Sequence, residues 1–242
     1  MYEKSWADDL VEVEQRRYGE RVADLTGEIP RVYSPAALTN RNRGTYERFL
    51  KPAFDKVAAA VGLLVTVPIF LSIGVLSALS MGFPVFLRQA RVGFQGEVFE
   101  VYKFRTMEHD RRRQHSPFDG TDRRKSHKSR HDPRITGFGR FLRTWSLDEL
   151  PQLVNILRGH MSLVGPRPEM VEIVAQYEDW QHLRHLVKPG LTGKWQIEHR
   201  GEKMLHECTE TDLEYVFELS ARTDLKILFW TVPAVLGWRR GF

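Results

Sequence analysis

The chain has 242 residues, one cysteine and a formal net charge of +5, with an isoelectric point near 9.4. This length supports one hydrophobic core with a small appendage and excludes an assembly of several large domains. The single cysteine, Cys208, excludes an internal disulfide framework and fits a reducing compartment.

The first segment, residues 1–47, is predicted to be a cytoplasmic extension. Its first 24 residues mix acidic and basic side chains with only scattered apolar ones, a composition that excludes a secretory signal. The residues give no indication of what this extension does.

A membrane helix is predicted within residues 48–83. No charged residue occurs from Val57 to Leu87, and the apolar part of this run, Val57 to Leu79, would form about 35 Å of helix. That length is sufficient for the hydrocarbon core of a bilayer. Pro68 lies in the middle of the run, where it removes a backbone donor and predicts a sharp kink.

Two topologies are open for this helix. Basic residues flank it on both sides, and basic residues favour the cytoplasmic side of a membrane. A helix bent at Pro68 that enters and leaves through one leaflet satisfies both flanks, whereas a spanning helix with a proline kink is well tolerated in membrane proteins. A spanning helix would place the basic remainder of the chain, with its free cysteine, outside the cytoplasm. The composition therefore favours the re-entrant topology.

A β-hairpin is predicted after the membrane helix. Residues 84–92 and 98–104 are rich in β-branched and aromatic side chains, and a glycine-containing connection joins them. Further along, Gly137 to Trp145 has helical periodicity, and this helix would bring Arg143 close to the acidic residues that follow.

Between these elements lies a basic stretch, residues 109–134. From Lys103 to Arg134 there are eleven Lys or Arg residues against five Asp or Glu residues. Interspersed serine, proline and glycine with few apolar residues predict a disordered loop. Charge alone leaves open whether it faces anionic lipid, a phosphorylated substrate or nucleic acid.

Asp148 and Glu149 form an acid pair followed by Pro151. Two helix starts compete here: Ser146 as N-cap with Glu149 at N3, or Asp148 as N-cap with Pro151 at N3, where a missing donor costs little. We prefer the second. Either start places both carboxylates in the first turn, near free N–H groups, and helix capping alone explains acidic residues at such a position.

Four cations argue for more than capping: Lys103, Arg105, Arg143 and Arg167. Arg167 stands between two prolines, which leave it little backbone freedom. If the four gather at the acid pair, two carboxylates cannot neutralise them, and a phosphate with a divalent metal would complete the balance. The phosphate-binding patterns GxxxxGK[ST] and GxGxxG do not occur in the sequence.

The C-terminal segment, residues 199–242, is predicted to lie at a membrane interface. From Asp224 to Phe242 it is apolar, contains Pro233 and is too short to span comfortably. Tryptophan and arginine near its end favour the headgroup region. A buried core helix is the alternative.

Together these segments resemble a known family. A K-x-x-x-D pattern, Lys51 and Asp55, precedes the membrane helix with its central proline. The motifs RQARVG, KFRTM, DPRIT, SLDELPQL, MSLVGPRPE and KPGLTGKWQ follow in order. From about Arg48 onward the chain resembles the bacterial sugar transferases, which are monotopic phosphoglycosyl transferases acting on polyprenyl phosphate.

The resemblance implies an α+β fold: a small membrane-associated catalytic domain, residues 84–198, with an N-terminal re-entrant helix and amphipathic interfacial helices. It implies transfer of a sugar 1-phosphate from a UDP-sugar to undecaprenyl phosphate, with release of UMP. The enzyme would work at the cytoplasmic face of the bacterial inner membrane, among membrane lipid and without nucleic acid. A homodimer is left open.

The resemblance also assigns residues. Asp148 would be the nucleophile that forms a phosphoaspartyl intermediate, and Glu149 would ligate Mg²⁺. Arg143 and Arg167 would hold phosphate, with Lys103 and Arg105 as looser supports of the same site. Pro68 would be the membrane hinge, and Lys51 and Asp55 would anchor the start of the helix.

One departure from the family pattern concerns the hinge. Val67 stands where serine is usual, so Thr66, or packing alone, would have to compensate the backbone groups that Pro68 frees. Two other functions remain as rivals to the transferase: a non-catalytic basic membrane anchor or scaffold that binds anionic lipid, and a related enzyme that hydrolyses nucleotide sugars without a lipid acceptor.

Overall fold

The computed structural model describes residues 44–107, 135–198 and 208–235. The predicted basic loop 109–134, residues 1–43 of the predicted extension, and residues 199–207 and 236–242 of the predicted C-terminal segment lie outside this part of the chain. The described residues form a mixed helix and strand structure, as predicted, and this structure is mostly helical.

The longest element is helix α1, Lys51–Met81, which follows a π-helical turn at Tyr46–Leu50. Pro68 lies inside it, so the carbonyl of Leu64, four residues earlier, loses its usual donor. The Thr66 hydroxyl donates instead to the Gly62 carbonyl, at 2.6 Å. Thr66 therefore does not serve the Leu64 carbonyl that Pro68 leaves without a donor.

Helix α1 is long and apolar enough to cross a membrane, judged by length and composition, and 11% of its most apolar window is buried. Its buried residues fall into two groups, at the start (Lys51, Asp55, Ala59) and near the end (Ile73, Ser77). Both ends therefore pack on the rest of the chain, while most of the apolar middle is exposed. The apolar helix is confirmed, and its re-entrant path stays a prediction.

The predicted hairpin is confirmed. Strand β1, Phe86–Val92, pairs antiparallel with β2, Val98–Phe104. The remaining elements are, in order, α2 (Gly137–Thr144), a 3₁₀ turn (Leu147–Glu149), α3 (Gln152–Leu157), β3 (Ser162–Val164), α4 (Val171–Val174), a 3₁₀ segment (Asp179–Leu186), β4 (Gly190–Thr192), α5 (Lys194–Glu198), α6 (Thr209–Glu218) and α7 (Ala221–Val235).

The predicted helix after Gly137 is confirmed as α2. It begins where the Thr136 side chain accepts a hydrogen bond from the Gly139 amide, at 2.9 Å. At the next helix, the fully buried Asn155 of α3 accepts from the Tyr102 amide and donates to the Glu100 carbonyl. These two bonds fasten α3 to the free edge of β2, which places the end of α2 and the acid pair beside Lys103.

Strands β3 and β4 form a short parallel pair, with Ser162 opposite Gly190. Two glycines let their backbones approach. A Cβ added at Gly190 would lie 2.1 Å from the Gly165 nitrogen, and one at Gly165 would lie 2.4 Å from the Lys188 carbonyl oxygen. The motifs VGPRP and KPGLTG are therefore two sides of one close contact, and this contact fixes the base of the loop that carries Arg167.

Both ends of α1 contribute to the hydrophobic core. Ala59 packs with Val101 and Ile156 in one cluster. Ile73 packs with Phe104 and Leu142 in another. The hairpin lies between these clusters, so α1 and the site-bearing elements share one framework.

Helix α7 buries Asp224 and Ile227 and exposes Leu225, Phe229 and Val232. It is therefore neither a fully buried core helix nor a polar surface helix. The interfacial position of the C-terminal segment stays a prediction.

Candidate active site

The acid pair lies in a strained turn between α2 and α3. Ser146 has a left-handed backbone with φ of 55°, which is rare for a residue other than glycine, and the 3₁₀ turn Leu147–Glu149 follows it. Helix α3 begins only after Pro151. The prediction that Asp148 caps the helix is therefore wrong: Pro151 stands at the N-cap of α3, and Ser146 precedes the 3₁₀ turn without a side-chain capping hydrogen bond.

Glu149 is engaged with cations instead of with the backbone. Lys103 Nζ lies 2.9 Å from Glu149 Oε1, and an Arg167 guanidinium nitrogen lies 2.6 Å from the same oxygen. The second Arg167 nitrogen is 3.4 Å from Oε2. Burial acts against the charged form, but Arg167 and Lys103 together hold the pKa of Glu149 well below its usual range. Glu149 is thus ionised and fixed in place.

Asp148 is in the opposite electrostatic situation. Burial and the neighbouring Glu149 charge raise the pKa of Asp148 to about 6, against the influence of Lys103, Arg143 and Arg167. Among the described residues no donor is hydrogen-bonded to its carboxylate. Its oxygens are therefore available to a reacting atom, while Glu149 Oε1 is held by Lys103 and Arg167.

The structure brings three of the four predicted cations to the acid pair. Lys103 comes from the end of β2, with a side chain that is 16% exposed. Burial lowers the pKa of Lys103. Arg143 comes from the last turn of α2, where its Nε donates to the Thr106 hydroxyl at 2.8 Å. Arg167 comes from the loop after β3.

Arg105 has a different position from the one predicted. Its guanidinium donates to the carbonyls of Met81 and Gly82, at 2.5 Å each. A cation at this point satisfies carbonyl groups that are left without partners at the end of a helix. These contacts give Arg105 a structural role at the end of α1, in place of the supporting role at the acid pair that was predicted for it together with Lys103.

Two arginines near the site were not identified from the sequence. Arg91 of β1 lies 3.6 Å from Glu169, and its charge acts on Arg167 and Glu149. Arg91 lies in the RQARVG motif, which was the sequence feature that could have pointed to it. Arg184, in the 3₁₀ segment, contacts the Arg167 carbonyl, and its stretch carried no pattern that pointed to this contact.

Lys51 and Asp55 join the start of α1 to β3. Lys51 Nζ donates to the Val164 carbonyl at 3.0 Å and to Asp224 at 2.7 Å. Asp55 accepts from the Ser162 hydroxyl at 2.6 Å and from the Leu163 amide at 3.1 Å. Since β3 leads directly into the Arg167 loop, helix α1 and the site share this support.

The carboxylate oxygens of the acid pair are the kind of ligand that a divalent metal such as Mg²⁺ binds. In the described residues no group of three or more His, Cys, Asp or Glu side chains is placed to hold a metal ion. Mg²⁺ commonly uses one or two carboxylates and takes the rest of its ligands from substrate phosphates and water. Asp148 and Glu149 Oε2 meet that requirement, whereas Glu149 Oε1 is held by Lys103 and Arg167.

A comparison with known proteins identifies the family of this chain. Residues 46–238 match the model of the family described as Bacterial sugar transferase. The chain belongs to this family. The match covers most of the chain and contains every residue of the site described above.

Several relatives in this family have names that specify a reaction. A protein of Escherichia coli (strain K12), named UDP-glucose:undecaprenyl-phosphate glucose-1-phosphate transferase, is 42% identical over 193 residues, which cover 76% of this chain and 40% of that protein. The undecaprenyl-phosphate galactose phosphotransferase of Salmonella typhimurium is 37% identical over 195 residues, covering 78% of this chain and 41% of that protein.

A third relative is more similar in length. The exopolysaccharide production protein ExoY of Rhizobium meliloti (strain 1021) is 40% identical over 191 residues, which cover 76% of this chain and 84% of ExoY. This chain therefore spans about two fifths of the two named phosphotransferases and most of ExoY.

Proposed function

We propose that this bacterial sugar transferase moves a sugar 1-phosphate from a UDP-sugar to undecaprenyl phosphate and releases UMP. The step would be the first membrane reaction in the synthesis of a surface glycan such as an exopolysaccharide, a capsule or an O-antigen. The observation that carries the proposal is the acid pair, in which Glu149 is held by Lys103 and Arg167 while the neighbouring Asp148 carboxylate remains available. The names of the relatives support the substrate class.

The reaction proceeds in two displacements at one phosphorus atom. An Asp148 oxygen attacks the β-phosphorus of the UDP-sugar, the bond from that phosphorus to the bridging oxygen breaks, and UMP leaves with the electron pair. An oxygen of the lipid phosphate then attacks the phosphoaspartyl sugar, and the Asp148 carboxylate leaves. The products are UMP and an undecaprenyl diphosphate sugar, and Asp148 is regenerated.

The cations make this attack feasible. A carboxylate and a diphosphate repel each other, so charge has to be dispersed before they meet. Lys103 and Arg167 neutralise Glu149, which would otherwise add to the repulsion, and Arg143 supplies a further positive charge near Asp148. Fixed cations of this kind stabilise the charge that develops on the transferred phosphoryl group.

Glu149, through Oε2, is the residue that would hold Mg²⁺ together with the substrate diphosphate. Bound there, the ion would neutralise phosphate charge and favour departure of UMP. The protein's own side chains do the rest. Asp148 attacks, Lys103 and Arg167 hold Glu149, and Arg143 lies near Asp148 as described above.

We also propose that α1 is re-entrant and that the site faces the cytoplasm. Thirty-one helical residues would extend about 46 Å if straight, more than the hydrocarbon thickness of a bilayer. Yet Asp55 near the start bonds to Leu163, and the Met81 carbonyl at the end bonds to Arg105, two positions of the same mixed domain. A domain held by both ends of the helix favours one side of the membrane.

Topology can be tested with single cysteines at Lys56 and Ser80, both exposed, after replacement of Cys208 by serine. In oriented vesicles a membrane-impermeant thiol reagent should label both positions from the cytoplasmic side. Labelling of the two positions from opposite sides would refute the re-entrant topology.

The reaction is tested with Asp148→Asn, which removes the nucleophile and keeps the side-chain size. With a panel of UDP-sugars and undecaprenyl phosphate, wild type should release UMP and this variant should not. Asp179→Asn, at an exposed position, is the matched control and should keep wild-type turnover. UMP release by folded Asp148→Asn would contradict the mechanism.

The same assay separates the rival functions. A non-catalytic scaffold predicts no nucleotide product and membrane binding that weakens steeply with salt. A nucleotide-sugar hydrolase predicts free sugar phosphate without the lipid acceptor. The transferase predicts that continued turnover depends on undecaprenyl phosphate.

A further inference from the structure

Arg184 is almost completely buried, at 1% exposure, and has three partners. One guanidinium nitrogen donates to the Arg167 carbonyl at 2.7 Å and lies 2.6 Å from Asp212 Oδ2. The other donates to the Tyr177 hydroxyl at 2.5 Å. Since a buried charge is costly unless it is paired and hydrogen-bonded, the burial of Arg184 depends on these partners.

The Arg167 loop is held mainly through its carbonyl groups. Pro166 and Pro168 have no N–H, so the loop offers few backbone donors. The Pro166 carbonyl accepts from the Gly190 amide at 2.8 Å, and the Glu169 carbonyl accepts from the Val92 amide at 3.0 Å. The Arg167 carbonyl lies between these two and accepts from the Arg184 side chain. The Arg167 carbonyl is therefore held by a side-chain guanidinium, whereas the Pro166 and Glu169 carbonyls are held by backbone amides.

We propose that Arg184 is a positioning residue for Arg167 in the transfer reaction, an inference that rests on the proposed function. The Arg167 carbonyl and side chain leave the same backbone unit, so fixing one restricts where the other can point. Arg184 does not contact Glu149; it holds the peptide from which the Arg167 guanidinium reaches Glu149 at 2.6 Å. Helix α6 contributes through Asp212, which balances the Arg184 charge.

A positioning role makes a prediction that differs from general stabilisation. Arg184→Lys keeps a positive charge opposite Asp212, but it loses the planar fork that serves several acceptors at once. We expect kcat/KM for UMP release to fall by about tenfold to a hundredfold, the range expected for a small misplacement of a reacting group. In an Arg167→Met background the same change should alter kcat/KM by less than about twofold, because the group that Arg184 positions is gone.

An equal loss in both backgrounds would overturn the proposal, since it would mean that Arg184 acts independently of Arg167. If Arg184→Lys fails to fold, Tyr177→Phe replaces it in the cycle. It removes one acceptor of the guanidinium, and we expect a smaller loss, about threefold, that is again absent in the Arg167→Met background.

A second measurement requires no activity and so separates failure of this proposal from failure of the proposed function. Arg184→Lys and Glu149→Gln change side chains that do not contact each other, yet each disturbs the position of Arg167. Their shifts in thermal midpoint should therefore be non-additive by about 2 °C or more. Additive shifts would overturn the positioning role even in an active enzyme, and coupled shifts would support it even if no UDP-sugar is turned over.

Discussion

Replacement of Asp224 by asparagine should loosen the two apolar helices from each other. Asp224 of α7 accepts from Tyr46 at 2.6 Å, from Lys51 at 2.7 Å and from Tyr215 at 2.8 Å. Its side chain and that of Lys51 are 5% and 8% exposed. Asparagine keeps the shape but leaves the buried ammonium of Lys51 without its closest negative partner.

The magnitude follows from burial. Breaking a buried ion pair costs about 3–5 kcal/mol. Asp55 lies 3.8 Å from Lys51 and remains in the variant, and the asparagine oxygen still accepts one hydrogen bond, so we expect about 2–3 kcal/mol. For a chain of this size that corresponds to a decrease of roughly 4–12 °C in thermal midpoint.

The assay is thermal unfolding in lipid nanodiscs at a fixed scan rate. Glu100→Gln is the matched control: it breaks the Arg88–Glu100 pair at 3.6 Å, whose side chains are 68% and 52% exposed. Such surface pairs contribute about 0–1 kcal/mol. If Asp224→Asn unfolds at the same temperature as Glu100→Gln, the Asp224 network does not hold α1 to α7.

Two further predictions concern stability. Gly190→Ala would place a Cβ 2.1 Å from the Gly165 nitrogen, so it should destabilise the chain by about 1–3 kcal/mol or more. Gly74→Ala is the control, because a Cβ at Gly74 has nothing within 4 Å, and it should not destabilise the chain. Equal thermal midpoints of the two variants would contradict the close β3–β4 contact. Burial, with the charges of Arg184 and His182, holds the pKa of His185 well below its ordinary value of 6.5. The unfolded chain therefore binds a proton that the folded chain excludes, and stability that is complete above about pH 6.5 should fall by about 1.4 kcal/mol per unit below it. His185→Gln should weaken this dependence and the exposed-site variant His160→Gln should not; the same pH dependence in both variants would contradict the assignment to His185.

The elements predicted correctly are those encoded by local patterns. The hairpin follows from β-branched and aromatic residues on both sides of a glycine-containing connection, and α2 from a short helical period. The parallel pair β3–β4 has three residues in each strand, and its partners are distant in sequence. It depends on backbone approach at Gly165 and Gly190, which no local pattern encodes.

The candidate site was predicted in composition but not in every contact. Lys103, Arg143 and Arg167 gather at the acid pair as their charges suggested. The prediction that Asp148 caps the helix was wrong because Leu147–Glu149 forms a 3₁₀ turn and α3 begins only after Pro151. Arg105 is close to Lys103 in sequence but lies beyond the end of β2, where it meets the end of α1. Arg184 acts through a backbone carbonyl, and sequence does not reveal such a contact.

Trapping of a phosphoaspartyl sugar would show whether the transfer passes through Asp148. Wild-type protein is incubated with a UDP-sugar that supports turnover, labelled at the β-phosphate, in the absence of undecaprenyl phosphate, and then mapped by mass spectrometry. A double displacement through Asp148 predicts one equivalent of UMP and a sugar phosphate on the peptide that carries Asp148, which addition of undecaprenyl phosphate removes. Full activity with the lipid present, but neither UMP nor labelled Asp148 in its absence, would contradict it.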